Sequence, residues 1–182
     1  MNDAESGVSV LFAEVCGSAR MHEKLPDAEA LRAVDRCLRR MERSIEAFSG
    51  RVVKIASGEL MAVFNSADEA YQAGIEMLQR VDDLPPVSGV KLEIRVGFSF
   101  GSVGEEDGVV TGATVIAAAC LAGLAKPGQV LTDLETRSAL SSTLARSTRD
   151  LGVVAPSGKS AGEVHLFEAI APDLSLTAAR LA

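Results

Sequence analysis
The chain has 182 residues, 47% of them hydrophobic, and a formal net charge of −7; it suits one domain with a real core, and the acidic balance excludes nucleic-acid binding through bulk charge. Its three cysteines, Cys16, Cys37 and Cys120, form no Cys-x-x-Cys pair, which speaks against a zinc site or a disulfide framework. No apolar run reaches the roughly 20 residues of a membrane span, and the polar opening MNDAESG is unlike a signal peptide, so a cytoplasmic protein with no membrane contact and no nucleic-acid partner is expected.

Val8 to Val15, VSVLFAEV, reads as a short buried strand carrying one acid, Glu14, and runs into the small-residue turn Cys16-Gly17-Ser18. Pro26 and Asp27 are start signals for a helix from about Asp27 to Phe48. The spacing predicts an apolar face of Leu31, Val34, Leu38, Met41, Ile45 and Phe48. Arg32, Arg36, Arg39, Arg40 and Arg43 lie on the other face, a solvated surface with Asp35 and Glu42 as local partners. Gly50 to Phe64, GRVVKIASGELMAVF, is predicted as a hairpin of two apolar strands, Arg51 to Ile55 and Leu60 to Phe64, set in the middle of a sheet. Its polar turn, Ala56 to Glu59, would project where scaffolds present functional groups.

Ser66-Ala67-Asp68-Glu69 is a capping box opening a helix to about Asp82, with Ala67, Ala70, Gly74, Met77 and Val81 as its core stripe. Lys91 to Phe100 alternates cleanly, Leu92, Ile94, Val96, Phe98 and Phe100 on one side, and predicts a strand. An acidic turn, Glu105 to Gly108, follows. Thr111 to Leu124, TGATVIAAACLAGL, is apolar on nearly every face, which predicts a buried helix. Gln129 to Thr132 reads as a short strand and Leu134 to Leu144 as helix. The close is a hairpin, about Asp150 to Val154 and Glu163 to Glu168, around a Pro/Gly/Ser turn. The fold class is therefore α/β, an α+β sandwich with a ferredoxin-like βαββαβ core and a mixed, mostly antiparallel sheet flanked by helices. Residues 1–6 read as a polar extension, 7–170 as the domain, and 171–182 as a tail or linker.

Five stretches in order, LFAEVCGS, GRVVKIASGELMAVF, IRVGFSFGSV with its acidic turn, TGATVIAAACLAGLAKPGQVL and VHLFEA, resemble the catalytic domain of class III adenylate/guanylate cyclases. The resemblance implies two metal ions, Mg2+ or Mn2+ in active relatives, each bridged by two aspartates and acting on a nucleoside triphosphate. It also implies a lysine and an aspartate that read the purine, and an asparagine and an arginine that stabilise the transition state. The resemblance further implies that each site is shared by two chains packed head to tail. Carried over, the first metal aspartate falls on Glu14, one methylene longer, and the second on Gly58, which offers no ligand. Glu59 is no replacement, since the family commonly has a glutamate there beside its aspartate. The purine lysine falls on Lys54, the purine acid on Val109, the asparagine on Ile116 and the arginine on Cys120.

The resemblance thus implies a scaffold without its chemistry: no catalytic residue and no expected metal, with Glu14 the remaining metal candidate and Lys54 the remaining nucleotide contact. The expected function is a catalytically inactive cyclase-homology domain, a regulatory or interaction module in signalling. A nucleotide sensor without turnover, using Lys54 and the Cys16-Gly17-Ser18 backbone, and a weak residual cyclase stay open as alternatives. A homodimer or another protein partner is left open too. Cys16 and Cys120 could approach each other in the old site, with buried small hydrophobes as the plainer reading. His22 and His165 belong to no triad pattern. Ser157-Gly158-Lys159-Ser160 is similar to a phosphate-binding loop but lacks the first glycine at the right spacing and precedes a strand; Lys159 is a weak phosphate candidate.

Overall fold
The computed structural model describes residues 7–156 and 162–172. The chain opens with strand β1 (Val8–Cys16) and helices α1 (Ser18–Lys24) and α2 (Asp27–Ala47). Strands β2 (Arg51–Ala56) and β3 (Glu59–Phe64) form the hairpin that leads into α3 (Ala67–Asp82). Strand β4 (Glu93–Gly101) precedes a small hairpin, β5 (Gly104–Glu106) and β6 (Val109–Thr111), and then α4 (Ala113–Leu124). The chain continues through β7 (Val130–Asp133), α5 (Leu134–Ala139), α6 (Ser142–Arg146), β8 (Thr148–Val154) and β9 (Val164–Ala169).

Seven strands pair in the order β2-β3-β1-β4-β7-β9-β8. Among the described strands only β4 and β7 run parallel; every other pairing in this sheet is antiparallel. This is the expected mixed sheet, and helices flank both of its faces. On one face Leu11, Ala13, Leu60, Ala62, Ile94, Val96 and Phe98 pack with Met41 and Ile45 of α2 and with Tyr71 and Met77 of α3. Burying each such large side chain contributes about 1.5–3 kcal/mol. The other face carries α4, through Val10, Met61 and Ala118 near β1 and β3, and through Leu121, Leu131 and Leu166 near β7 and β9. No helix among the described residues is long and apolar enough to cross a membrane.

Gly97 sets the distance of α4 from the sheet. A Cβ there would lie 2.1 Å from the Ala122 amide nitrogen, so helix backbone rests directly on strand backbone. The strand alternation of β4 is correct, but both of its faces are covered: Gly97 and Ser99 are buried as well as Ile94, Val96 and Phe98. The capping box also holds, with Ser66 Oγ accepting from the Glu69 amide at 3.1 Å and Glu69 Oε2 accepting from the Asn65 amide at 3.3 Å.

Several expectations change. The β2–β3 hairpin is not mid-sheet: β2 is the edge strand and β3 lies inside it. A short helix, α1, follows β1 where the sequence predicts only a turn; its N-cap Gly17 has φ +94 and no side-chain cap bond, so it lacks the usual start signal. The buried stripe of α2 is Ala30, Ala33, Cys37, Met41, Ser44 and Ile45. Of the predicted face, Met41 and Ile45 belong to this stripe and Val34, Leu38 and Phe48 pack half-buried against the core, while Leu31 is 61% exposed and small residues fill the closest approach. The 134–144 segment is two helices, since Leu140 and Ser141 adopt extended backbone between them. Finally, α4 is not buried all round: Thr114, Ala118, Leu121 and Ala122 are buried while Ile116 is 72% exposed.

Candidate functional site
The registers of β2, β3, β1 and β4 line up Ala56, Glu59, Glu14 and Arg95 in one row across the sheet. Successive residues in a row share a face. The next row along the strands is Lys54, Met61, Phe12 and Gly97, on the face that α4 covers. Glu14, Glu59, Lys54 and Arg95 are therefore neighbours on the α4 side, near the end of the sheet where the β2–β3 turn lies.

Within that row Arg95 claims Glu14. Its Nε and Nη2 donate to Glu14 Oε2 at 2.8 and 2.5 Å. Its Nη1 donates to the Gly123 carbonyl at 3.3 Å, in the last turn of α4, where the helix dipole favours a cation. The pair is partly screened, with side chains 29% and 38% exposed, so it contributes about 1 kcal/mol. Glu59, next along the row, is exposed.

Gly58 closes the hairpin in a two-residue turn with Ser57 at φ 51 and Gly58 at φ 76, a pattern that matches the twist of a tight hairpin. Its carbonyl accepts from the Val15 amide at 2.9 Å, which pins the turn beside Glu14. A side chain at Gly58 would have room: the nearest atoms to a Cβ are Val15 Cβ at 3.8 Å and Val34 Cγ1 at 3.9 Å. Lys54 stands at the β2 bulge between Val52 and Lys54. It is exposed and makes no salt bridge among the described residues.

The other positions lie on β6 and α4. Val109 is 61% exposed and Ile116 72% exposed; Cys120 is half-buried, one helical turn beyond Ile116. Val109 and Ile116 thus face solvent on this chain. All three cysteines are free. Burial is the main cause that pushes the Cys16 thiol up, and it carries Cys37 to about 12, so neither is an activated thiolate. His22 pairs with Asp27 at 3.2 Å and His165 with Asp150 at 2.7 Å, which leaves both histidines in local surface pairs. The Ser157–Ser160 loop with Lys159 lies outside the described residues. Arg95 is the member of this constellation that sequence reading missed. The β1–β4 register is what reveals its partner.

No protein-family model matches the chain. Uncharacterized proteins of Mycobacterium tuberculosis and Mycobacterium bovis are 30% identical over 96 residues, 53% of this chain. The chain spans 24% of the length of these curated relatives. Among solved structures, the catalytic core of a rhodopsin-guanylyl cyclase with converted specificity, in complex with ATPαS, superposes with a TM-score of 0.81 at 16% identity, covering 93% of this chain and 98% of that one. The adenylyl cyclase CyaB from P. aeruginosa gives 0.76 at 22% identity, covering 92% and 95%. A non-canonical dimeric guanylyl cyclase domain from Blastocladiella emersonii gives 0.79 at 14%, covering 92% and 98%. The chain has the fold of class III adenylate/guanylate cyclase catalytic domains.

Proposed function
We propose that this chain is a catalytically inactive cyclase-homology domain that works through protein contacts. The observation that carries the reading is the engagement of Glu14 by Arg95 beside a Gly58 that has no ligand to offer. One carboxylate already neutralised by a guanidinium, with glycine as its counterpart, does not fit a two-metal centre. Among the described residues no group of three or more His, Cys, Asp or Glu is arranged to hold a metal. On the other half, Val109, Ile116 and Cys120 supply neither the purine acid nor the transition-state donors. Losing one such donor costs on the order of 10² to 10³ in rate, and two are gone together with a metal ligand.

The partner surface belongs to the same reading. Ile116 and Val109 expose apolar side chains where an active site would be polar, and a second copy of the chain packed on α4 and β6 would cover them. Signalling by this domain would then be a matter of who binds that face. Incubation with ATP or GTP and Mn2+ tests the inactivity: no cyclic nucleotide is expected, and appreciable production would reject it.

A nucleotide sensor without turnover is the second reading. The exposed Lys54, with no ion pair among the described residues, favours it. Thermal unfolding with Mn2+ and either nucleotide separates the two. A ligand at about 100 times its dissociation constant would add about 2.7 kcal/mol. A shift lost in Lys54→Ala supports the sensor, and no shift at millimolar nucleotide rejects it.

A further inference from the structure
The basic face of α2 has a feature that the cyclase-like site does not use. Among its arginines, Arg39 pairs with Asp35 at 3.0 Å. Arg36 and Arg40 make no salt bridge among the described residues, and Glu42, the other expected partner, makes none either. Arg36 and Arg40 are four residues apart and so lie side by side on the helix. Like charges in that arrangement repel, and Arg40 is half-buried, where an unpaired guanidinium is worse solvated.

Both arginines line a cavity of about 330 Å3 whose other walls are apolar. Met21 of α1 and Ala33 of α2 form its buried floor with Leu92. The segment from 84 to 90 closes the remaining side. That wall is held by a tight turn: Val87 and Val90 exchange backbone hydrogen bonds of 2.9 and 3.0 Å around Ser88 and Gly89, both at positive φ. The nearby Lys91 is already engaged, donating to the Asp82 carbonyl at 2.5 Å and pairing with its carboxylate at 3.4 Å. An apolar hollow with two guanidinium groups that no carboxylate among the described residues neutralises has the make-up of a small-molecule site, which commonly occupies about 300 to 1,000 Å3 and uses few polar groups. Arginine forks suit a planar anionic head.

We propose that this cavity binds a compact organic anion, an apolar body seated against Met21, Ala33 and Leu92 with a carboxylate-like head on Arg36 and Arg40. The site stands apart from the Glu14–Arg95 row and does not depend on the reading of catalysis.

The test is calorimetric titration of the whole chain with 1-naphthoate, with naphthalene-1-methanol as the uncharged counterpart, and NMR to locate the binding. Saturable naphthoate binding in the millimolar range or tighter is expected, with amide shifts clustered at residues 84–92 and along α2. The alcohol should bind at least about tenfold more weakly, and Arg36→Gln/Arg40→Gln should weaken naphthoate by at least about tenfold, since bonds to charged groups carry that much each. Ala33→Leu should weaken both ligands by filling the floor. If that variant fails to fold, the double glutamine variant, at one exposed and one half-buried position, decides alone. No saturation at millimolar naphthoate, equal affinity for the alcohol, unchanged affinity in the double variant, or shifts centred on α4 would each overturn the proposal.

Discussion

Arg95 places two of its nitrogens on the same oxygen of Glu14, across the β1–β4 register, and a third on the carbonyl of Gly123 in α4. One guanidinium therefore ties strand to strand and sheet to helix. Arg95→Ala should lose about 1–2 kcal/mol of stability, because Glu14 would be left half-buried beside Glu59 with no counter-charge. Urea unfolding measures it, and a double-mutant cycle with Glu14→Gln should return a coupling near about 1 kcal/mol. An unchanged midpoint in Arg95→Ala would show that the pair is idle.

Gly97 should tolerate no side chain. The Ala122 nitrogen lies 2.1 Å from where a Cβ would sit, so Gly97→Ala forces α4 off the sheet and should cost about 3 kcal/mol or more. Loss of soluble expression or a large drop in unfolding midpoint is the expected outcome.

Gly58 should behave differently. Space is available there, and the cost comes from φ +76 alone. Gly58→Asp should cost about 1 kcal/mol, since aspartate is among the residues that tolerate this region, whereas Gly58→Val should cost about 2 kcal/mol or more. Denaturant unfolding of the two variants measures how much that backbone conformation costs each side chain.

Alkaline pH should weaken the fold. Burial pushes Cys37 from 9.0 and Tyr71 from 10.0 up to about 12 each. In the unfolded chain both groups lose their protons first, so their contribution is whole below about pH 9 and falls as pH rises toward 12. Melting temperature recorded from about pH 7 to 11 should decline through this window, and less steeply in Cys37→Ala/Tyr71→Phe. Tyr71 also donates to the Ile170 carbonyl at 2.6 Å and accepts from its amide at 3.0 Å, so Tyr71→Phe alone should lose about 1 kcal/mol at neutral pH.

The strands and the long helices were legible because their periodicities are strong: β4, the capping box before α3 and the final hairpin fall where the pattern puts them. What covers a surface was not legible. The α4 segment is apolar all round, and nothing in its composition distinguishes a helix buried by its own chain from one that leaves Ile116 exposed. On α2 the predicted face holds at Met41 and Ile45, with Val34, Leu38 and Phe48 packed half-buried against the core, and fails at Leu31, because the alanines and Cys37 also turn inward. At the site, the sequence placed Glu14 and Lys54, which the sheet register brings onto one face. The partner of Glu14 could not be read, because Arg95 is 81 residues away and meets it only through strand register.

The apolar face should also respond in solution. If a second copy covers α4 and β6, sedimentation velocity will show concentration-dependent dimers, and Ile116→Lys will shift the chain to monomer without changing its melting temperature by more than a few degrees. Monomers at every concentration would instead direct attention to a different protein partner.

The most direct measurement is turnover by the unaltered chain. ATP and GTP are incubated separately with the protein and Mn2+, and cyclic nucleotide is quantified by mass spectrometry beside a protein-free control and a Lys54→Ala control. An inactive domain yields no product above background with either substrate, and that is the predicted result. Product that accumulates with protein concentration and disappears in Lys54→Ala would contradict it, and would mean that Glu14 leaves Arg95 to serve a working site.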